Sequence, residues 1–217
     1  MNAPSPLTAL RLTGVLAVLR APSANQAVRA VDALVAGGIR GVEVTYSTPD
    51  AAAAIREISR RHGNRVYLGA GTVLTEEQVS EAVEAGAEFL VSPGTQEAVV
   101  RAMLGTGVAV FSGALTPSEV MAAVQFGVDA VKIFPASLGG PAYLRSLRGP
   151  FSDVPFLPTG GVDASNLGEW LAAGAAAVGA GGKLCSPSAM AEGRWDDIEG
   201  VARQFAAALR TARGEQG

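Results

Sequence analysis

Histidine and cysteine each occur once in these 217 residues, as His62 and Cys185. With so few ligating side chains the usual zinc spacings cannot be assembled, a serine–histidine–aspartate relay has no evident base, and no internal disulfide can form. His62 lies in the polar run Arg60–Asn64 and is expected to be a solvated residue at the frayed end of a helix. Cys185 is expected to be a small buried apolar residue, and a single thiol fits a reducing compartment. Charge is thin as well. Charged residues make up 17 % and the formal net charge is −3, which leaves neither a basic stripe for nucleic acid nor an acidic disordered tail. Hydrophobic residues reach 48 %, yet no segment runs apolar for the length a bilayer requires, and Met1–Pro6 has no basic region leading into an apolar one. The expectation is a soluble cytoplasmic protein with no nucleic-acid or membrane partner.

Lysine is the scarcity that points somewhere. The chain holds fifteen arginines and two lysines, Lys132 and Lys183. Lys132 sits inside Asp129-Ala130-Val131-Lys132-Ile133-Phe134-Pro135, a run whose other residues read as buried strand. Taking an ammonium out of water costs several kcal/mol unless it is paired or neutral, so a buried lysine tends to shed its proton and become a nucleophile. Arginine cannot take that part. The bland alternative is a Lys132 that reaches a strand end and pairs with a carboxylate.

From Val15 onward, short apolar runs alternate with amphipathic segments that end in glycine. The expected strands are Val15–Arg20, Gly41–Tyr46, Val66–Thr72, Phe89–Ser92, Ala109–Ser112, Ala130–Phe134, Pro155–Thr159 and Ala177–Gly181. Helix starts are written as Ser23 before Asn25–Val35, Thr48-Pro49-Asp50 before Ala51–Ser59, Thr75-Glu76-Glu77 before Gln78–Ala85, and Thr116-Pro117-Ser118-Glu119 before Val120–Phe126. Trp195–Arg213 carries Ile198, Val201, Phe205 and Leu209 at helical spacing and reads as the eighth covering helix. Near-continuous apolar strands separated by helices imply a parallel sheet covered on both faces. Eight such units imply a single (β/α)8 TIM barrel domain over residues 1–217, with residues 1–8 and 214–217 expected to be flexible. A doubly wound α/β sheet is the alternative, and the first turn, Arg20-Ala21-Pro22-Ser23, lacks the glycine fingerprint that fold uses for dinucleotides.

Barrels of this kind work at the carboxyl ends of their strands. The polar residues placed there are Arg20, Glu43, Thr45, Thr72, Ser92 with Pro93, Lys132, Thr159 with Gly160 and Gly161, and Gly181 and Gly182 with Lys183. Period-two alternation sets Glu43 and Thr45 opposite Val42 and Val44, so valines that meet the helices leave Glu43 pointing inward. A carboxylate near Lys132 suits proton shuttling, though a structural ion pair would use the same two residues. The glycine pairs close strands seven and eight, where barrels hold phosphate on backbone N–H groups. Lys183 either adds charge there or is a solvated loop cation. Arg20 offers a planar fork suited to a carboxylate, or a salt-bridge partner, and Thr72 a hydroxyl donor.

These residues resemble a known family. Ala17-Val18-Leu19-Arg20, Val42-Glu43-Val44-Thr45, Gly69-Ala70-Gly71-Thr72-Val73, Val91-Ser92-Pro93-Gly94, Val131-Lys132-Ile133-Phe134-Pro135 and Pro158-Thr159-Gly160-Gly161-Val162 are similar to the motifs of class I 2-keto-3-deoxy-6-phosphogluconate (KDPG) and 4-hydroxy-2-oxoglutarate aldolases. The resemblance implies a Schiff-base lysine at Lys132 with no metal or other cofactor and a general acid/base at Glu43. It implies carboxylate recognition by Thr72 and an arginine, with Thr45, Pro93 and Phe134 also in the substrate site. Phosphate would be held at Gly160, Gly161, Gly181, Gly182 and Lys183, in a homotrimer that cleaves a phosphorylated keto-sugar acid. Some members carry the carboxylate-binding arginine where this chain has Ser47; others have it at the position of Arg20, to which the role moves here. Many have serine where this chain has Lys183. Thr159 before the glycine pair favours the gluconate substrate over its galactonate epimer.

Overall fold

Eight parallel strands organise the computed structural model, which describes residues 5–214. They are β1 Val15–Leu19, β2 Gly41–Thr45, β3 Tyr67–Gly71, β4 Phe89–Val91, β5 Ala109–Ala114, β6 Ala130–Ile133, β7 Phe156–Pro158 and β8 Val178–Ala180. β1 to β7 pair consecutively and β8 pairs with β1, giving the order β7-β6-β5-β4-β3-β2-β1-β8. A parallel bridge between Thr159 and Gly179 brings the two ends together, so the sheet is a barrel rather than an open doubly wound layer. All eight strands lie within a residue or two of their expected bounds.

Among the described residues ten α-helices accompany them: α1 Pro6–Thr13, α2 Ala24–Ala36, α3 Ala51–His62, α4 Glu76–Glu84, α5 Glu97–Gly105, α6 Pro117–Phe126, α7 Gly140–Arg148, α8 Leu167–Ala172, α9 Pro187–Ala191 and α10 Trp195–Ala212. Several start signals act as written. Ser23 and Thr75 accept N–H bonds from Gln26 and Gln78, and Thr116 with Glu119 forms a reciprocal capping box on α6. Asp50 does not cap α3: it sits in left-handed backbone with no side-chain bond to the helix. The neighbouring Thr48 is buried and accepts the Ala21 N–H instead. Of the ends expected to be flexible, residues 1–4 and 215–217 lie outside the described residues, while Pro6 opens α1 under a Ser5 cap.

Strand alternation divides the core into two layers. Val42, Val44, Leu68, Ala70, Val131, Ile133 and their equivalents face the helices. Inside the barrel, Leu16, Phe89, Val91, Phe111 and Leu157 form a separate apolar cluster, joined by Leu10 of α1, which closes the floor. Cys185 is buried as expected, and burial pushes its thiol up to about 12. His62 is not the solvated residue its neighbours suggest. It is buried at the last position of α3, and its Nε2 meets Asp32 Oδ1 of α2 at 3.0 Å while Arg61 holds the other Asp32 oxygen at 2.9 Å. The polar run Arg60–Asn64 hides a helix-to-helix clamp that only the tertiary approach of α2 creates.

Candidate active site

Among the described residues eight polar or charged side chains are buried, and all but His62 lie on or just past the C-terminal half of a strand. Glu43 is the third residue of β2 and Lys132 the third of β6, both turned inward by strand period. Their side chains meet across the barrel with Lys132 Nζ 3.1 Å from Glu43 Oε1, and neither residue is more than 4 % exposed. The second carboxylate oxygen, Glu43 Oε2, is buried with no hydrogen-bond partner among the described residues. The amine and the carboxylate hold each other, and one basic atom is left over.

Room for this pair comes from an absent side chain. Gly71 of β3 pairs in register with Thr45, and a Cβ at Gly71 would stand 2.0 Å from Glu43 Oε1. On the far side, Gly113 of β5 pairs in register with Lys132 and lets the Pro93 backbone approach to where a Cβ would sit 2.1 Å from its carbonyl. Pro93 is thereby brought beside the lysine strand. Phe134 is 41 % exposed at the mouth, its ring centroid 5.5 Å from Lys132 Nζ. Thr72, just past β3, has φ +54, a left-handed conformation that costs a β-branched residue about 1–3 kcal/mol. Strain of that kind persists where the surroundings over-determine it, and here it falls one residue from Gly71.

The ends of β1 and β2 are tied by hydroxyls. Arg20 is exposed after β1, and its Nε donates to Ser47 Oγ at 2.7 Å. Ser47 Oγ lies 2.8 Å from Thr45 Oγ1, which donates to the Leu19 carbonyl at 3.0 Å. Thr45 is therefore buried and committed to neighbouring groups rather than open to the mouth. Across the barrel, Thr159 is buried beside Gly179, where a Cβ would stand 2.2 Å from its hydroxyl.

Gly160 and Gly161 have φ +101 and +78, and a Cβ on Gly161 would lie 2.9 Å from Ser137. The N–H groups of Gly161 and Gly182 donate to no protein acceptor among the described residues. Gly181 turns the chain after β8 by accepting the Leu184 and Cys185 N–H groups. Lys183 is exposed beside these turns. The Asp163 carboxyl is held below its ordinary range by the Ser165 hydroxyl first, then by the Asn166 and Ser165 backbone and by the charge of Lys183. Lys183 thus lies on the same side of the mouth as the glycine turns. Among the described residues, no three His, Cys, Asp or Glu side chains group as metal ligands.

Sequence reasoning passed over two supports of this site. Gly71 has a legible signal, since Gly69 and Gly71 repeat at strand period beside inward Glu43 and Thr45. The Ser47 hydroxyl has none, because its partner Arg20 lies 27 residues away on another strand end.

Fold and side chains together define a (β/α)8 barrel whose C-terminal mouth encloses a buried amine–carboxylate pair between a cationic edge and two glycine turns. Residues 7–201 match the family model for KDPG and KHG aldolase. The 2-dehydro-3-deoxy-phosphogluconate aldolase of Treponema pallidum is 40 % identical over 197 residues, covering 90 % of this chain and 93 % of that protein. The KHG/KDPG aldolase of Escherichia coli is 38 % identical over 191 residues, covering 88 % and 89 %. The solved KDPG aldolase of Legionella pneumophila, with pyruvate captured at low pH as a covalent carbinolamine, superposes with a TM-score of 0.86 at 31 % identity over 93 % of this chain and 98 % of that one. The chain belongs to the KDPG and KHG aldolase family and is a lyase of the aldolase type.

Proposed function

We propose that this protein is a Schiff-base aldolase that cleaves 2-keto-3-deoxy-6-phosphogluconate to pyruvate and glyceraldehyde 3-phosphate. The observation that carries the reading is the 3.1 Å contact between Lys132 Nζ and a Glu43 whose other oxygen has no partner. The neutral amine of Lys132 attacks the C2 ketone, and the carbinolamine takes up a proton from solvent and loses water to give a protonated imine. Glu43, directly or through water, takes the proton of the C4 hydroxyl as the C3–C4 bond breaks, and the electron pair of that bond moves into the iminium to form an enamine. Glyceraldehyde 3-phosphate leaves, the enamine is protonated at C3, and hydrolysis frees pyruvate and the amine. Replacing a bare carbanion by a neutral enamine is what the covalent bond contributes, and positioned acid–base help adds roughly 10² to 10⁴ in rate.

Substrate recognition follows the placement of the other groups. Arg20 and Thr72 take the carboxylate, Phe134 and Pro93 flank the carbon chain, and the Gly160-Gly161 and Gly181-Gly182 turns with Lys183 take the phosphate. Unpaired N–H groups and a nearby cation support that last assignment. On family likeness, Thr159 before the Gly160-Gly161 pair favours the gluconate over the galactonate substrate. Assembly as a homotrimer and a cytoplasmic location complete the reading on family likeness.

The direct test is reduction with borohydride in the presence of pyruvate, followed by peptide mass mapping. The expected result is one adduct, on Lys132. An unmodified Lys132, or an adduct confined to Lys183, would overturn the assignment.

A further inference from the structure

Arg20 is a cation at the barrel mouth that makes no salt bridge among the described residues, yet its side chain is not loose. The contacts that hold it run in one forced direction. A guanidinium only donates and a backbone carbonyl only accepts. The single proton of Thr45 goes to the Leu19 carbonyl at 3.0 Å, so at the 2.8 Å contact Ser47 must be the donor and Thr45 the acceptor. That leaves a Ser47 lone pair for the Arg20 Nε–H at 2.7 Å. The chain starts on the side chain of Arg20 and ends on the carbonyl of Leu19, the residue before it. On the other side of Arg20, the Ala21 N–H donates to buried Thr48 at 3.0 Å. Arg20 is bracketed, backbone and side chain, by one four-residue turn after β2.

A guanidinium gripped at Nε keeps its Nη1/Nη2 edge open, and that edge matches a carboxylate with two parallel N–H bonds. We propose that Ser47 is the positioning residue for carboxylate recognition: it fixes Arg20 so that this edge faces the carboxylate of a 2-keto acid whose ketone lies at Lys132. The proposal rests on the aldolase reading and deepens it. It also gives Ser47 a task of its own: the carboxylate is read from β1, and the hydroxyl on β2 keeps the reader in place. An exposed arginine otherwise samples many rotamers, and holding it beforehand removes an ordering cost from substrate binding.

The experiment measures the half-saturating pyruvate concentration for borohydride trapping, and KM for cleavage, in Ser47→Ala, Ser47→Thr, Arg20→Ala and the Ser47→Ala/Arg20→Ala double variant. Losing one charge-assisted bond should raise both constants about fivefold in Ser47→Ala, with the change falling on KM more than on kcat. Ser47→Thr, which keeps the hydroxyl, restores them. Arg20→Ala has the larger effect, and the double variant matches it because Ser47 then has nothing to hold. Trapping of hydroxyacetone, a ketone with no carboxylate, is unmoved by Ser47→Ala. An equal shift for pyruvate and hydroxyacetone, an undiminished Ser47 effect in the Arg20→Ala background, or no shift at all would overturn the proposal. Should wild-type protein give no adduct with pyruvate, the aldolase reading falls by itself. Calorimetric titration with pyruvate then decides the Ser47 role, and equal affinity in wild type and Ser47→Ala rejects it.

Discussion

Each end of the barrel interior buries an oxygen with no hydrogen-bond partner among the described residues, and the two ends put it to different use. At the mouth it is Glu43 Oε2; at the floor it is the phenol of Tyr67, the first residue of β3. Around Glu43 the neighbours are a lysine 3.1 Å away and a glycine whose missing side chain makes the space. Around Tyr67 they are aromatic, with Phe89 at 4.7 Å between ring centroids and Phe111 a further 5.3 Å beyond Phe89. Glycine appears at both ends for the same steric reason, since a Cβ at Gly69 would stand 2.3 Å from the Phe89 ring. An unsatisfied buried atom therefore does not mark a functional site until its surroundings say what could use it. At the mouth they supply a nucleophile and a proton path; at the floor they supply aromatic packing and the charges of Glu88 and Asp129, but no nucleophile.

The largest expected effect breaks the mouth. Lys132→Arg keeps a cation for Glu43 but removes the amine that can form an imine, so cleavage should fall on the order of 10⁴-fold or more. Circular dichroism should show the fold kept. A variant that turns over at a comparable rate would reduce Lys132 to an electrostatic role and make the two ends alike. Next in size is Gly71→Ala, whose methyl displaces the Glu43 carboxylate; a misplacement near 1 Å costs about 10²-fold in kcat. Trapping of pyruvate on Lys132 should survive better than turnover, because the amine remains. At the floor, Phe89→Ala removes a fully buried ring and should lower stability by about 3–5 kcal/mol in denaturant titrations, with kcat per folded molecule unchanged.

The same contrast explains how much of the molecule was legible beforehand. Apolar runs and glycine stops located all eight strands because strands buried on both faces must be apolar throughout. Short α8 and α9 and the floor helix α1 carried too few periodic turns to announce themselves, and α1 is fixed by Leu10 entering the barrel rather than by its own pattern. Lys132 and Glu43 stood out because each violates the apolar rule of its strand. Hydrogen bonds between distant strand ends leave no such mark. The Arg20–Ser47–Thr45 chain and the His62–Asp32 clamp depend on which elements become neighbours, and a serine or histidine in a polar run looks solvated until its partner is known.

The smallest effect belongs to the floor's own unpaired oxygen. Tyr67→Phe deletes a buried hydroxyl that satisfies no partner and leaves the ring packed on Phe89, so stability should rise by about 1 kcal/mol near neutral pH, read as a higher denaturation midpoint. Burial, with Glu88 and Asp129 nearby, pushes the Tyr67 phenol above its ordinary range. The unfolded chain ionises at about pH 10, while the folded phenol still holds its proton. The unfolded state then binds fewer protons than the folded one, and wild-type stability declines as pH rises beyond that point. Phenylalanine has no proton to lose, so the advantage of Tyr67→Phe should widen between pH 9 and pH 11, as ~pH 10 is where free tyrosine titrates. A gap that stays flat across that interval, or a variant less stable than wild type at pH 7, would mean that the phenol finds a water or a partner at the floor, and that both ends of the barrel satisfy their oxygens after all.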